Sequence, residues 1–113
     1  MGINAYQHAP LKNAVNDAKA VKAALELKGV QVFAIYDCNI TELTAIVDEY
    51  VNALQKGDAA FVFFAGHGVV YKNTSRLLAS NQSAEPDSAK NALNVLYLSL
   101  RLAPCNIMLS LQS

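Results

Sequence analysis

The sequence predicts an α/β fold, a three-layer α/β/α sandwich built around a mostly parallel sheet. Segments with strand and helix patterns alternate along the 113 residues, and such alternation favours right-handed crossovers between parallel strands. The run Ala59–Ala65 (Ala-Ala-Phe-Val-Phe-Phe-Ala) is apolar throughout, as in a strand that is covered on both faces. The chain is 53% hydrophobic, which suffices for the packed core of a single domain over residues 1–113.

A short apolar segment, a helix and a strand are predicted first. Residues 1–5 form the apolar segment. A helix is predicted over residues 11–28, with Pro10 ahead of it and Gly29 as its left-handed cap. Its apolar positions repeat at helical spacing: Leu11, Val15, Ala18, Val21 and Leu25. The β-branched and aromatic residues 30–36 predict a strand.

The second half of the chain begins with the most regular helix pattern. Asn39 and Glu42 have the spacing of a capping box, and apolar residues at helical spacing follow until Gly57. After the strand at 59–65, the polar stretch 72–87 is predicted to be a loop with a short extended piece at Leu77-Leu78-Ala79. A third helix is predicted over residues 89–102, and residues 106–111 predict a last strand.

Charge and composition exclude several classes of partner. Nine basic and nine acidic residues give zero net charge, and the basic residues are scattered, which argues against a nucleic-acid or anionic-membrane partner. No apolar stretch approaches the ~20 residues of a membrane span, and the first residues lack the pattern of a signal peptide. Two cysteines are too few for a disulfide framework or a cysteine-rich metal site. We therefore expect a cytoplasmic protein without a cofactor or metal.

His67 is the strongest candidate for chemistry. In a parallel sheet, functional residues lie beyond the carboxyl ends of the strands, and Gly66-His67-Gly68 directly follows the most apolar strand. The flanking glycines leave the imidazole uncrowded, and the Gly68 amide could donate to a developing oxyanion. The alternative is a histidine satisfied by loop backbone. A phosphate-binding loop is not indicated, because no third glycine and no Lys-Ser/Thr pair follow.

Neither cysteine is a good partner for this histidine. Cys38 lies at the same edge of the predicted sheet as His67, but two strand spacings away. Cys105 precedes the last strand and therefore belongs at the opposite edge, roughly 20 Å away at ~3.3 Å per residue. Both are expected to be small packed side chains.

Three further residues leave alternatives open. Asp17 lies on the polar side of the first helix, where the helix dipole favours a carboxylate. His8 lies in a polar loop and is expected to be solvated. Tyr6 is compatible with a core or a rim position.

Taken together, Gly2–Tyr6, Leu11–Ala18 and Gly57–Gly68 resemble the caspase-like cysteine peptidases, above all the paracaspases and metacaspase-type bacterial caspase-like proteins. The resemblance covers nearly the whole chain and corresponds to most of the large-subunit region. It implies a caspase-like fold and cysteine-type endopeptidase activity.

The resemblance also implies roles for three residues. His67 matches the histidine of the catalytic Cys-His pair, and Gly68 matches the residue whose amide helps to form the oxyanion hole. Asp17 falls where one carboxylate of an acidic substrate pocket lies, which implies cleavage after Arg or Lys. A carboxylate that pairs with a guanidinium is a physically reasonable basis for that preference.

Two departures from the family pattern reduce the expected activity. The family's first strand usually has several apolar residues before Gly-Ile-Asn, whereas here Met1 replaces most of them. The family's fourth strand ends in Asp-x-Cys, which supplies the nucleophile, whereas here Ser113 stands at that position or the chain ends just before it. We therefore expect a domain that is truncated at both ends, and a chain that is inactive alone.

Two functions remain from the sequence. The favoured one is an incomplete cysteine endopeptidase domain that acts on a peptide or protein substrate, with the C-terminal part of the peptidase or a dimer partner required in addition. The alternative is a non-catalytic pseudo-peptidase that serves as a protein-interaction module. A nucleotide-binding α/β domain is disfavoured by the missing phosphate loop.

Overall fold

The computed structural model describes residues 1–7, 9–102 and 106–112. It contains four helices and five strands within those residues. In chain order they are α1 (Ala14–Leu27), α2 (Ile40–Ala53), β1 (Ala59–Ala65), β2 (Gly68–Tyr71), β3 (Thr74–Leu77), α3 (Pro86–Ala89), β4 (Leu93–Asn94), α4 (Val95–Arg101) and β5 (Asn106–Gln112). None of the helices in these ranges is long and apolar enough to cross a bilayer.

The parallel part of the fold is built around β1. Strand β1 pairs with β5 in parallel, with a register that runs from Ala59 opposite Asn106 to Ala65 opposite Gln112. On its other side, Gly2 makes single parallel bridges to Ala65 and to Tyr36. Gly2 thus lies between β1 and the segment that ends at Tyr36, as a residue of a central strand would.

The first two predicted extended segments, residues 1–5 and 30–36, pair less than expected. Each contributes one bridge residue, Gly2 and Tyr36 respectively, and Met1 and Ile3 add hydrogen bonds to β1. The predicted strand over residues 30–36 is therefore found only at Tyr36.

The larger sheet is antiparallel and has the order β2-β3-β4. The prediction of one mostly parallel sheet is therefore confirmed only as a mixed α/β fold, with parallel pairing limited to the surroundings of β1. The prediction of a loop over residues 72–87 is wrong at its start, because strand β3 occupies Thr74–Leu77, and Lys72 and Asn73 form the tight two-residue turn that joins it to β2. Both have positive φ angles (49° and 61°), as the mirror-image hairpin turns require.

The third predicted helix is also divided. One helix is expected over residues 89–102, but they contain the end of α3, the short strand β4 and α4. The cause is Asn94, whose side-chain oxygen accepts a hydrogen bond from the Tyr97 amide (3.0 Å) and so caps a new helix at Val95.

Local sequence signals determine where helix α2 begins and where helix α1 ends. The capping box of α2 is confirmed: the Asn39 side chain accepts from the Glu42 amide (2.8 Å), and the Glu42 carboxylate accepts from the Asn39 amide (3.1 Å). Helix α1 begins three residues later than predicted and is followed by Gly29, which has the positive φ of the expected cap (81°).

The core lies between these elements. Its fully buried large side chains are Phe64 on β1, Ile3 beside it, Leu43 on α2, Leu102 after α4, and Cys38. Gly2 is required where α1 crosses the start of the chain, because an added Cβ would lie 2.7 Å from Cβ of Ala18 and 2.9 Å from the Ala14 carbonyl oxygen. This close packing fixes α1 against the carboxyl-terminal half of the parallel strands.

Candidate active site

His67 lies where β1 leaves the parallel pair and the chain turns into β2. Gly66 makes this turn possible. An added Cβ on Gly66 would lie 2.5 Å from the Tyr6 hydroxyl oxygen and 2.9 Å from the ring of Phe64. A side chain at position 66 would therefore displace the group that braces the His67 backbone.

That bracing group is the Tyr6 hydroxyl. It accepts a hydrogen bond from the His67 amide (2.9 Å) and donates one to the Leu78 carbonyl (2.9 Å). The Leu78 amide in turn donates to the His67 carbonyl (3.0 Å). The hydroxyl thus takes the place of one backbone hydrogen bond where the β2–β3 ladder begins.

The environment of Tyr6 keeps its hydroxyl protonated. Tyr6 is 4% exposed, and burial raises its pKa to about 12. A protonated hydroxyl can donate to the Leu78 carbonyl while it accepts from the His67 amide. The Tyr6 and His67 rings also contact each other, with centroids 4.5 Å apart and planes inclined by 48°.

The imidazole of His67 is held in one orientation by the Ala9 carbonyl. Nε2 lies 2.7 Å from the Ala9 oxygen. A carbonyl oxygen can only accept, so Nε2 carries the hydrogen in the neutral ring and Nδ1 is the basic nitrogen. The half-buried ring therefore presents an unprotonated nitrogen that can take a proton from a neighbouring acid.

The Gly68 amide points away from β3. Hydrogen-bonded and non-bonded pairs alternate along an antiparallel ladder. The bond between Leu78 and His67 makes theirs a bonded pair, so the next pair, Gly68 with Leu77, is non-bonded. The Gly68 N–H consequently faces the outer side of β2 next to the imidazole, where a hydrogen-bond donor is available to an anionic oxygen.

The Cys38 thiol is not activated. Cys38 is 2% exposed, and burial raises the pKa of the thiol, which disfavours the thiolate. Beside it, the Asp37 carboxylate accepts hydrogen bonds from the amides of Asn4 (2.7 Å) and Ala5 (3.0 Å) and closes this edge of the fold. Cys38 is thus a core residue at the carboxyl edge of the parallel strands.

The remaining predicted residues are distributed as follows. Asp17 lies in the first turn of α1 and is half-buried. His8, Cys105 and Ser113 lie outside the described residues. Within residues 1–7, 9–102 and 106–112, no group of three His, Cys, Asp or Glu side chains is arranged as metal ligands would be.

Sequence reasoning misses two contributors to the site. Tyr6 is compatible from the sequence with either core or rim, and nothing in the sequence points to the Ala9 carbonyl. Each is about sixty positions from His67 in the chain. The contact of Ala9 is made by its backbone carbonyl, which every residue has, so the residue type gives no indication of it. Gly66 is the indirect signal for Tyr6, since a glycine before a candidate histidine indicates a close neighbour.

The carboxyl end of β5 lies beside this site. The register places Gln112 opposite Ala65, the last residue of β1 before the turn at Gly66. The sequence matches the family described as Caspase domain over residues 1–109. A search of curated proteins gives no significant match.

Proposed function

The chain belongs to the caspase-domain family of cysteine peptidases, and from this premise we propose that it is the histidine-bearing part of a cysteine-type endopeptidase. The observation that carries the proposal is the His67 imidazole, whose Nε2–H is held by the Ala9 carbonyl and whose Nδ1 is left basic. The Gly68 amide beside it supports the same assignment.

The proposed reaction is acyl transfer to a thiol. His67 Nδ1 takes the proton of the thiol, and the sulfur attacks the carbonyl carbon of the scissile peptide bond. The Gly68 N–H donates to the oxyanion that forms. Nδ1–H then protonates the leaving amine as the C–N bond breaks, and the same nitrogen later deprotonates the water that hydrolyses the thioester.

The thiol is proposed to come from outside residues 1–113. In the family the nucleophilic cysteine follows the strand that corresponds to β5, and the pairing of Gln112 with Ala65 supports that position. A following segment or another chain would supply it. A serine at this position would be a poor substitute, because a hydroxyl is far less ionised than a thiol near neutral pH.

We extend the proposal to specificity and architecture. Asp17 is proposed to pair with an Arg or Lys side chain of the substrate, as in the paracaspase and metacaspase branches. The bridges of Gly2 to Tyr36 and Ala65 support a three-layer sandwich around a parallel sheet as the architecture of the complete domain. A cytoplasmic location is proposed with it, in agreement with the free thiol of Cys38.

Complementation tests the peptidase proposal. The 113-residue chain is mixed with a polypeptide that supplies the following strands and the cysteine, and hydrolysis of Arg- and Lys-containing peptides is measured. We expect activity that disappears with His67→Ala and persists with His8→Ala, the matched control. A folded mixture that gives no hydrolysis, or gives it equally with His67→Ala, contradicts the proposal.

A second measurement needs no activity. In the ¹⁵N spectrum of the isolated chain, Nε2 of neutral His67 should have the shift of a protonated nitrogen and Nδ1 that of a bare one. The opposite tautomer would remove the base from the proposed mechanism.

The alternative function is a non-catalytic interaction module. Its support is the apolar face of α4, where Leu96 and Leu100 are 60% and 65% exposed. A folded but inactive complementation mixture, together with saturable binding of a protein to this face, would favour it.

A further inference from the structure

Two residues with strained backbone lie close to His67 along its network of contacts. Outside the β2–β3 turn, Ala9 (φ 57°) and Asp37 (φ 48°) are the only non-glycine residues with positive φ in the part of the chain that the structure describes. Such a conformation is uncommon for a residue with a Cβ and persists where surrounding contacts impose it. Ala9 also precedes Pro10, which restricts its backbone further. Both residues therefore indicate a segment that is held in place by its contacts.

The segment that contains Ala9 holds His67 at two points. We call residues 4–7 and 9–11 the clamp segment. Its Tyr6 hydroxyl accepts a hydrogen bond from the His67 amide (2.9 Å), and its Ala9 carbonyl accepts one from Nε2 of the same residue (2.7 Å). The first contact fixes the backbone and the second fixes the ring. The direction of Nδ1 therefore depends on where the clamp segment lies.

Asn4 closes the clamp segment. Its carbonyl oxygen accepts hydrogen bonds from the Tyr6 amide (2.9 Å) and from the Leu11 amide (2.9 Å), so both ends of the segment meet at this residue. Its side-chain oxygen accepts from the Val15 amide (3.2 Å) near the start of α1. A shift of Asn4 would consequently move the whole clamp segment.

Asp37 holds Asn4 from outside the clamp segment. A single carboxylate oxygen, Oδ1, accepts hydrogen bonds from the amides of Asn4 (2.7 Å) and Ala5 (3.0 Å). The backbone amide of Asp37 donates to the Gly2 carbonyl (3.0 Å), beside the bridges that Gly2 makes. One carboxylate oxygen thus connects the paired residues of the parallel strands to the first two residues of the clamp segment.

We propose that Asp37 is a positioning residue for His67. Its Oδ1 fixes Asn4, Asn4 closes the clamp segment, and the clamp segment holds Nδ1 of His67 in one direction. This role rests on the proposed function, because the direction of Nδ1 affects turnover only where His67 is the base. A displacement of about 1 Å in a catalytic arrangement can cost about 10²-fold in rate, so a loosened clamp segment should slow the reaction strongly.

Three variants separate the side-chain oxygen of Asp37 from its strained backbone. Asp37→Gly removes the oxygen, and glycine adopts a positive φ readily. Asp37→Asn keeps an oxygen that can accept two hydrogen bonds, and asparagine also tolerates a positive φ. Asp58→Gly is the matched control, because the Asp58 carboxylate accepts the Gln55 amide (2.8 Å) just ahead of β1, at the end remote from His67. Asp37 is exposed, so its removal leaves no cavity in the core.

Hydrogen exchange of the ¹⁵N-labelled 113-residue chain tests the clamp segment without any activity. In Asp37→Gly we expect exchange about tenfold faster at the His67 and Leu11 amides, whose acceptors belong to the clamp segment. The Val62 and Phe64 amides, which face β5, should keep nearly their wild-type rates. Asp37→Asn and Asp58→Gly should leave the His67 amide as slow as in the wild type.

The kinetic test uses the same complementation mixture as the peptidase proposal. Asp37→Gly should lower kcat about tenfold or more and leave KM within about twofold, because the clamp segment acts on the base and not on bound substrate. Asp37→Asn should retain most of the wild-type kcat, and Asp58→Gly should match the wild type.

Three results would overturn the role of Asp37 while the proposed function stands. The first is an equal acceleration of exchange at His67, Val62 and Phe64, which would make Asp37 a general stabilising residue. The second is an unchanged kcat in Asp37→Gly. The third is a raised KM in both Asp37 variants, which would assign the carboxylate to a basic side chain of the substrate. A folded wild-type mixture without hydrolysis contradicts the proposed function itself, whatever the exchange rates.

Discussion

The two ends of β1 differ in how their backbone is satisfied. At the carboxyl end, the chain around His67 is held by the Tyr6 hydroxyl, the Ala9 carbonyl and the Leu78 amide, and the packing leaves no space for a Cβ at Gly66. At the amino end, the strand borders a cavity of about 350 Å³, and the Phe61 carbonyl accepts a long hydrogen bond from the Tyr50 hydroxyl (3.4 Å).

The contrast separates a closely braced end of the strand from a loosely braced one. The imidazole and the Gly68 amide are oriented by contacts within the chain, as catalytic groups must be before substrate arrives. The amino end borders a cavity instead. Substitutions at the carboxyl end should therefore be costly, and matched substitutions at the amino end should be mild.

The largest effect is expected from Gly66→Ala. The new Cβ would meet the Tyr6 hydroxyl at 2.5 Å and the Phe64 ring at 2.9 Å, in a region without free volume. We expect a loss of about 3 kcal/mol in the free energy of unfolding, measured by urea denaturation. Gly57→Ala, two residues before β1, meets nothing within 4 Å and should cost about 1 kcal/mol through its positive φ alone. Equal losses would remove the contrast between the two ends.

Alkaline pH should lower the free energy of unfolding by weakening the contacts at the carboxyl end of β1. The pKa of Tyr6 is raised to about 12 from an ordinary value of 10, so the folded state holds this proton more tightly than the unfolded state. The stabilisation is complete below pH 10 and is lost as the pH rises from 10 to 12. A shift of this size corresponds to roughly 2–3 kcal/mol. Urea denaturation across this range should show a steeper loss for the wild type than for Tyr6→Phe, and parallel losses would contradict the assignment.

Tyr6→Phe at neutral pH should cost about 2 kcal/mol. The substitution leaves the His67 amide and the Leu78 carbonyl without their shared partner in a buried setting. Tyr50→Phe is the matched change at the amino end. Its bond to the Phe61 carbonyl is long (3.4 Å) and half-buried, so a loss below about 1 kcal/mol is expected. A Tyr50→Phe variant as unstable as Tyr6→Phe would show that the two ends of β1 are equally braced.

The mildest test changes no residue. Hydrogen exchange of the free chain should be slow at Val62 and Phe64, whose amides face β5, and fast at Val32 and Phe33, which have no backbone partner among the described residues. Nuclear magnetic resonance at neutral pH measures both sets in one experiment. Similar protection of the two sets would contradict the contrast, because it would mean that residues 32 and 33 are hydrogen-bonded in solution.

Features that depend on residues close together in the chain could be predicted from the sequence. The capping box of Asn39 and Glu42 and the apolar run of β1 both lie within a few positions, and both appear in the structure where the pattern placed them. His67 stands out because glycines flank it at the end of that run. Each of these signals is local, so no knowledge of the tertiary fold was needed.

The missed features depend on distant or inconspicuous partners. The Tyr6 hydroxyl meets the His67 amide across 61 positions, and the Ala9 contact uses a backbone carbonyl that any residue could provide. The β2–β3 turn uses Lys72-Asn73, which lacks the glycine that usually marks a two-residue hairpin. Asn94 is hidden in an otherwise helical pattern, and its cap becomes evident only when α4 is seen to begin there.

The single bridges of Gly2 have a consequence for the order in which the protein can be assembled. Gly2 forms bridges to both Tyr36 and Ala65, so a segment that is synthesised early lies in the middle of the structure and cannot complete its pairing until residue 65 has been made. At about 5–20 residues per second, synthesis from Gly2 to Ala65 takes roughly 3–13 s. During that interval the nascent chain carries an unpaired central segment. Strand β5 completes the other side of β1 later still, after α3 and α4 have also been made.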